Sequence, residues 1–158
     1  MHANGVVHRD IKPSNIMLVS YGTTTFRARA RLTDFGIASG IRGEPTQTEE
    51  GKTTGTAAYL SPEQALRKPA TAASDIYSLG LVLLECFTHH VTYPGDAVES
   101  AMARLDHEPP VPNGLPDDWT RILHAMTASD PAARPTAEQL TPVFREAVIS
   151  AAGLQQRA

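Results

Sequence analysis

The stretch from residue 74 to residue 88 is apolar around almost its whole circumference when it is drawn as a helix. Ser74 and Asp75 stand at its start, where side-chain oxygens can cap a first turn. A helix that is apolar on all sides has to be surrounded by other elements, so the stretch predicts a central core helix that ends near Thr88. The apolar residues that cover it are Leu79, Leu81, Val82, Leu83, Leu84, Cys86 and Phe87.

Three later segments supply apolar faces that can surround such a helix. Each repeats apolar residues at the i, i+3, i+4, i+7 spacing of an amphipathic helix. Thr136 and Gln139 also fit a capping box at the start of the last segment. Upstream, residues 16–19 and 30–33 are short runs that predict two strands. The three faces are Val98, Ala101, Met102 and Leu105; Trp119, Ile122, Leu123 and Met126; and Leu140, Val143, Phe144, Ala147 and Val148.

The composition is that of an ordinary soluble domain. The chain has 158 residues, of which 41% are hydrophobic and 20% charged, which suits one domain with its own core. A net charge of -3 gives no electrostatic reason to expect nucleic acid or an anionic membrane as a partner. The single cysteine, Cys86, excludes an internal disulfide and suits a reducing compartment. We therefore expect a cytoplasmic protein in which Cys86, on the core helix, is an inert thiol.

Four short motifs follow one another before the core helix. Residues 8–15 read HRDIKPSN, residues 34–36 read DFG, residues 55–56 read GT, and residues 61–63 read SPE. In this order they resemble the catalytic loop, the metal-binding turn and the end of the activation segment of bacterial, eukaryotic-like Ser/Thr protein kinases. Each motif alone is weak evidence, whereas the ordered set is specific.

The resemblance implies a fold and a division of the chain. The fold is expected to be mainly α, namely the large lobe of a protein kinase, helical with short β-strands around the catalytic loop and the DFG turn. Residues 1–150 are expected to form a partial kinase domain and residues 151–158 a frayed tail. Within the domain, the catalytic loop is residues 8–15, the activation segment is residues 34–63, and the helical subdomain is residues 64–150.

The resemblance also implies a reaction, the transfer of a phosphoryl group from ATP, with Mg²⁺, to Ser or Thr of a protein substrate. Asp10 matches the base that accepts the substrate hydroxyl proton, and Lys12 matches the lysine that neutralises charge on the transferring phosphate. Asn15 and Asp34 match the oxygen ligands of magnesium, a hard cation. Thr56 matches a threonine that hydrogen-bonds near Asp10 and Lys12. The positions that would bind the nucleotide and its metal are Lys12, Asn15, Met17 and Asp34.

Further matched positions are structural. Glu63 and Arg134 match the buried ion pair that anchors the activation segment, although an exposed pair that contributes little is the alternative. Asp75 matches the aspartate that holds the backbone of the catalytic loop. His8 and Phe35 belong to the same structural group.

Regulation is implied as well. Arg9 resembles the arginine of kinases that need a phosphorylated activation loop, because a guanidinium can bind a phosphate through two hydrogen bonds. Thr46 and Thr48 match the acceptor threonines of the bacterial kinases. The segment after them is longer than is usual in the family, which leaves other acceptors open. The alternatives are Thr53, Thr54 or an unmodified loop.

A kinase domain normally begins with a small β-rich lobe that carries a Gly-rich loop, a strand lysine and a helix glutamate. None of these precedes residue 8 in this sequence. We therefore expect weak nucleotide binding over Met17 and no measurable phosphotransfer by the isolated chain. We also expect association through an apolar flank of the core helix that the missing lobe leaves exposed. Two alternative functions are a non-catalytic docking module for substrates or a kinase partner, and a truncated gene remnant.

Overall fold

The computed structural model describes residues 1–20, 29–34 and 57–155. In these ranges two strands are followed by five α-helices, which confirms the mainly α fold with short strands beside residues 8–15. The strands are β1 (Ile16–Val19) and β2 (Arg29–Leu32). The helices are α1 (Pro62–Ala65), α2 (Ala72–Thr88), α3 (Ala97–Asp106), α4 (Asp117–Met126) and α5 (Ala137–Gln155). Short 3-10 turns lie at His2–Asn4, Pro13–Asn15 and Pro131–Ala133.

Helix α2 is the centre of the core, as its apolar pattern predicts. Nine of its 17 residues are buried. It contributes to two groups of buried apolar side chains, one shared with α4 and α5 and the other shared with α4 and the loop before α3. The first group is Ile76, Ile122, Met126, Leu140 and Ala147, and the second is Tyr77, Leu81, Leu84, Tyr93 and Leu123.

Gly80 lets α2 approach the end of α4 closely. A Cβ atom at this position would lie 2.7 Å from Thr127 Cγ2 and 3.1 Å from Met126 Cβ. Because protein interiors are close-packed, a side chain here would force the two helices apart or deform them. The absence of a side chain at residue 80 therefore sets the spacing between α2 and α4.

Strands β1 and β2 form an antiparallel pair in which Ile16 lies opposite Leu32. The first strand has the predicted bounds, whereas the second begins and ends one residue before the predicted 30–33. The register has a consequence for the motifs, because Asn15 directly precedes β1 and Thr33 directly follows β2. The pairing therefore brings the end of the HRDIKPSN segment next to the residue before Asp34.

The predicted start of α2 is wrong. The helix begins at Ala72 with Thr71 as its N-cap, not with a cap at Ser74 and Asp75. The Thr71 N–H donates to Ser74 Oγ at 2.9 Å, and that hydroxyl donates to Glu63 Oε1 at 2.6 Å. Ser74 and Asp75 thus lie inside the first turns of the helix, where their side chains reach other parts of the chain.

Helix α3 forms where its apolar repeat predicts, but that repeat faces solvent. Val98, Met102 and Leu105 are 70%, 61% and 40% exposed. The buried residues are Ser100 and Arg104, on the polar side of the helix. Helix α3 is therefore anchored through hydrogen bonds rather than through the apolar face that its sequence pattern marks.

The expectation that the Cys86 side chain lies in the core is also wrong, because Cys86 is exposed. It lies in the last turn of α2, where Phe87 is 37% exposed and packs edge-on against Trp119, with ring centroids 5.2 Å apart. The core surrounds the first three-quarters of α2 and leaves one side of its end open.

Helix α5 begins with the predicted capping box. The Thr136 N–H donates to Gln139 Oε1 at 2.8 Å, and the Gln139 N–H donates to Thr136 Oγ1 at 3.2 Å. The helix continues to Gln155, into the segment 151–158 expected as a tail. Within the described ranges, no helix combines the length and the apolar character that crossing a bilayer requires.

Candidate active site

Asp10, Lys12 and Asn15 converge on one another within a single loop. Lys12 Nζ lies 2.9 Å from Asp10 Oδ2, and Asn15 Nδ2 donates to the same oxygen at 3.1 Å and to the Asp10 carbonyl at 2.8 Å. The 3-10 turn Pro13–Asn15 returns the chain toward Asp10, and the proline at its first position favours the required backbone angle. The turn therefore places an amide and an ammonium on one carboxylate.

The backbone of this loop is held by Asp75, a buried residue that is 2% exposed. Its two carboxylate oxygens accept the backbone N–H groups of His8 and Arg9, each at 2.8 Å. Hydrogen bonds to an ionised acceptor are stronger than those between neutral groups. His2 Nε2 also lies 2.8 Å from Asp75 Oδ2, a contact that sequence reasoning missed. The first turn of the central helix thus holds the backbone just before Asp10.

The turn that carries Asp34 is tied to the same loop. His8 Nε2 lies 2.9 Å from the Thr33 carbonyl oxygen, and the Thr33 N–H donates to the Asn15 carbonyl at 2.9 Å. Asp34 is the next residue, is exposed, and has a positive φ of 55°. Aspartate tolerates this left-handed conformation better than most residues with a side chain. Residues 8, 15 and 33 therefore fix the point from which Asp34 emerges.

The donor set at this point fits a magnesium ion. The Asn15 amide nitrogen is used by Asp10, whereas no hydrogen bond among the described residues uses its oxygen Oδ1. Amide and carboxylate oxygens are the ligands that Mg²⁺ prefers. Asn15 Oδ1 and the Asp34 carboxylate would be those ligands. Across the described ranges, this site included, no group of three or more His, Cys, Asp or Glu side chains is arranged to hold a metal ion.

Met17 lies on β1 and is 55% exposed, next to Leu18 at 71%. The strand that leads away from Asn15 therefore presents apolar side chains to solvent.

Glu63 and Arg134 form the expected buried ion pair. Arg134 Nη1 and Nη2 donate to Glu63 Oε1 and Oε2 at 2.8 Å and 3.0 Å. Burial by itself would raise the pKa of Glu63, but the hydrogen bonds from Arg134 and Ser74 outweigh it and hold that pKa at about 2, below the ordinary 4.5. The Arg134 guanidinium also lies over the ring of Tyr77, 4.8 Å from its centroid. The alternative of an exposed pair does not describe this contact.

Sequence reasoning missed Arg104, which is 2% exposed. Its guanidinium donates to the carbonyl oxygens of Ala57 at 2.6 Å, Ser100 at 3.0 Å and Leu60. It also lies 5.0 Å from the ring centroid of Tyr93, and burial lowers its pKa. A buried guanidinium with neutral acceptors is uncommon, and an arginine within an amphipathic pattern normally indicates a solvated residue. Arg104 therefore holds residues 57–60 against α3. In the sequence, these residues link Thr56 to the SPE motif.

Several predicted site residues lie outside the described residues. They are Phe35, Thr46, Thr48, Thr53, Thr54 and Thr56.

Comparison with known proteins gives a family match over most of the chain. The protein kinase domain family matches residues 1–143. Serine/threonine-protein kinase PknA of Mycobacterium tuberculosis H37Rv is 39% identical over 135 residues, which cover 84% of this chain and 30% of that protein. Serine/threonine-protein kinase PkaA of Streptomyces coelicolor is 38% identical over 145 residues, 91% of this chain and 26% of that protein. Serine/threonine-protein kinase AfsK of Streptomyces griseus is 40% identical over 139 residues, 85% of this chain and 16% of that protein.

The chain thus spans less than a third of the length of each of these relatives. The family match nevertheless covers nearly all of its own residues and includes every motif that the sequence singled out. The chain belongs to the protein kinase family, among the bacterial, eukaryotic-like Ser/Thr kinases.

Proposed function

We propose that this chain is the large lobe of an ATP-dependent Ser/Thr protein kinase in which Asp10 is the catalytic base. The observation that carries the proposal is the contact of Asp10 Oδ2 with Lys12 Nζ at 2.9 Å and with Asn15 Nδ2 at 3.1 Å. Both contacts use one carboxylate oxygen, and 34% of the Asp10 side chain remains exposed. A carboxylate held in this way can orient a Ser or Thr hydroxyl of a protein substrate and accept its proton.

The neighbouring residues have complementary roles in this proposal. Lys12 offsets the negative charge that gathers beside Asp10 during transfer. Asn15 and Asp34 would hold Mg²⁺, which when bound neutralises phosphate charge and orients the phosphate groups. Met17 would contact the nucleotide from β1. Thr56 is proposed to hydrogen-bond near Asp10 and Lys12.

Regulation by phosphorylation is part of the same proposal. Arg9 is exposed and directly precedes Asp10, so its guanidinium can bind a phosphate on the activation segment. The proposed acceptors are Thr46 and Thr48. Mass spectrometry of the protein purified from cells would identify the phosphorylated threonine, and Thr53 or Thr54 would be the alternative outcome.

The proposal places the chain in the cytoplasm, where ATP is available and its one cysteine stays reduced. Association through an apolar flank of α2 also stays a proposal. The apolar side chains that α2 exposes in the structure are at its last turn, Cys86 and Phe87.

Nucleotide binding gives the first test. Ligands that bind only the folded state raise the unfolding temperature. We expect ATP with Mg²⁺ to stabilise the chain at high ligand concentration, and Asp34→Asn to remove the effect. Asp106→Asn is the matched control, because the Asp106 side chain is 90% exposed and lies on α3. Absence of stabilisation would favour the non-catalytic docking module.

Phosphotransfer gives the second test. Without a small lobe to position ATP, we expect the isolated chain to transfer no measurable radiolabelled phosphate to itself or to a basic protein. Fusing it to the part of M. tuberculosis PknA that precedes the matched segment should restore transfer, and Asp10→Asn should abolish it. A fusion in which Asp10→Asn is as active as the unmodified protein would refute the assignment of the base.

A further inference from the structure

Gln64 takes part in two hydrogen-bond systems at once. Its Oε1 accepts the Ser61 N–H at 3.0 Å and is 3.0 Å from Ser61 Oγ, which completes the capping box of α1. Its Nε2 donates to the backbone carbonyl of Arg9 at 3.0 Å, 55 residues away in the sequence. One side chain therefore joins the SPE motif to the residue directly before Asp10.

The residue that Gln64 reaches has an unfavourable backbone conformation. Arg9 has a φ of 70°, in the left-handed region. For a residue with a side chain this region is about 1–2 kcal/mol less favourable than the right-handed one. Such conformations persist where the surroundings hold the residue from several sides. At Arg9 the N–H donates to Asp75 Oδ1 at 2.8 Å, and the carbonyl accepts from Gln64.

These two contacts act on opposite ends of the same residue. Asp75 fixes the peptide before Arg9, and Gln64 fixes the peptide that leads from Arg9 into Asp10. Among the described residues, the Asp10 N–H makes one long contact of its own, 3.4 Å to His8 Nδ1. The Arg9 carbonyl therefore acts together with Lys12 and Asn15, which contact the Asp10 side chain and carbonyl, in setting the direction in which Asp10 leaves the backbone.

We propose that Gln64 is a positioning residue that holds Asp10 in place through the Arg9 carbonyl and so couples the end of the activation segment to the catalytic loop. The catalytic meaning of this coupling rests on the proposed function, in which Asp10 is the base. The coupling itself does not, because it is a contact between α1 and the loop.

The two halves of the Gln64 amide can be separated by substitution. Gln64→Glu keeps an acceptor for Ser61 but has no donor for Arg9 at neutral pH. Gln64→Lys keeps a donor for Arg9 but has no acceptor for Ser61. Gln64→Met removes both. A residue that only stabilises α1 would respond to loss of the acceptor, whereas a positioning residue responds at Arg9 and Asp10 to loss of the donor.

The test is NMR on the 158-residue chain without nucleotide. We expect Gln64→Glu to speed amide exchange at Arg9 and Asp10 about fivefold, the effect of one lost hydrogen bond. It should also shift the Arg9 carbonyl carbon resonance and leave the Ser61 amide unchanged. Gln64→Lys should change the Ser61 amide and leave exchange at Arg9 and Asp10 as it is in the unmodified chain. Gln64→Met should change the Ser61 amide and also speed exchange at Arg9 and Asp10. The unmodified chain should show a scalar coupling between Gln64 Nε2 and the Arg9 carbonyl carbon.

The outcomes decide between the two roles. Equal exchange at Arg9 and Asp10 in Gln64→Glu and in the unmodified chain would overturn the proposal, as would parallel changes at Ser61 and Asp10 in every variant. If a variant fails to fold, the unmodified chain still provides the test, because absence of the scalar coupling there would overturn the proposal. In the PknA fusion, Gln64→Glu should lower kcat about fivefold with little change in the KM for ATP, and Gln64→Lys should retain kcat. Activity that survives Asp10→Asn would refute the base and leave the NMR result standing.

Discussion

Arg134 and Glu63 are 71 residues apart in the sequence, yet both nitrogens at the end of the arginine donate to both oxygens of the glutamate, at 2.8 Å and 3.0 Å. The Glu63 carboxylate also accepts from Ser74, and Arg134 donates to the carbonyl of Ala73. The pair thus joins α1, the start of α2 and the loop before α5. Because both side chains are buried, neither finds water when its partner is removed.

Loss of one partner should therefore destabilise the fold strongly. Glu63→Gln leaves a buried guanidinium without its counter-charge, and we expect it to lower the free energy of unfolding by about 3 kcal/mol. Replacing both residues, as Glu63→Gln with Arg134→Met, should lower it by less than the sum of the two single changes. Urea unfolding followed by circular dichroism measures this. Glu138→Gln, at an exposed position of α5, is the control, and an equally small effect at Glu63 would contradict the prediction.

The same pair predicts a pH dependence. The pKa of Glu63 is lowered from 4.5 to about 2 in the folded chain. A carboxyl group whose pKa is lowered on folding stabilises the fold at pH values above its pKa in the unfolded chain. That contribution is lost as the pH falls from about 4.5 to about 2. The stability difference between the unmodified chain and Glu63→Gln should therefore be constant above about pH 5 and shrink below it. Urea unfolding at a series of pH values measures it, and a difference that grows on acidification would be the wrong sign.

Arg104 should be needed for the order of residues 57–60. Arg104→Met keeps the volume of the side chain but removes the donors to Ala57 and Leu60, and we expect a loss of about 2 kcal/mol. Amide exchange of residues 57–60 should accelerate more than exchange in α4. Arg104→Lys should lose less, because a charged donor remains. Arg121→Met is the control, since the Arg121 side chain is 78% exposed; equal effects at both positions would show that the buried contacts are unimportant.

Gly80 should not tolerate a side chain. The added Cβ of Gly80→Ala would meet Thr127 Cγ2 at 2.7 Å, and overpacking of this kind costs about 1–3 kcal/mol. Thr127→Ser removes that methyl group and keeps a hydroxyl to donate to the Leu123 carbonyl. The double variant should recover part of the lost unfolding temperature in a thermal scan. No recovery would mean that the contact with Met126 dominates.

Features that depend on nearby residues were predictable from the sequence. The bounds of β1, the end of α2 at Thr88 and the capping box of Thr136 and Gln139 are set by side chains within a few positions of one another. The contacts among Asp10, Lys12 and Asn15 are of the same kind, because one short turn brings them together.

Features set by contacts between residues far apart in the chain were not predictable from the sequence. Ser74 looked like a helix cap, but Thr71 takes that place and the Ser74 hydroxyl reaches Glu63, 11 residues away. The apolar face of α3 indicated burial, but Arg104 turns the opposite face inward through carbonyls 44 and 47 residues away. A periodic pattern shows that a helix has two faces, and only the tertiary contacts decide which one is buried.

The position of Asp75 has a consequence for variation in the core. This carboxylate stands on the same helical turn as Ile76 and Tyr77, whose side chains fill the two groups of the interior. A substitution that shifts or rotates α2 by a fraction of a turn would also move the Asp75 carboxylate. The backbone N–H groups of residues 8 and 9, which donate to that carboxylate, would move with it. Interior packing and the backbone just before Asp10 are thus coupled, so variants selected for heat resistance in this core should also change the amide exchange of residues 8 and 9.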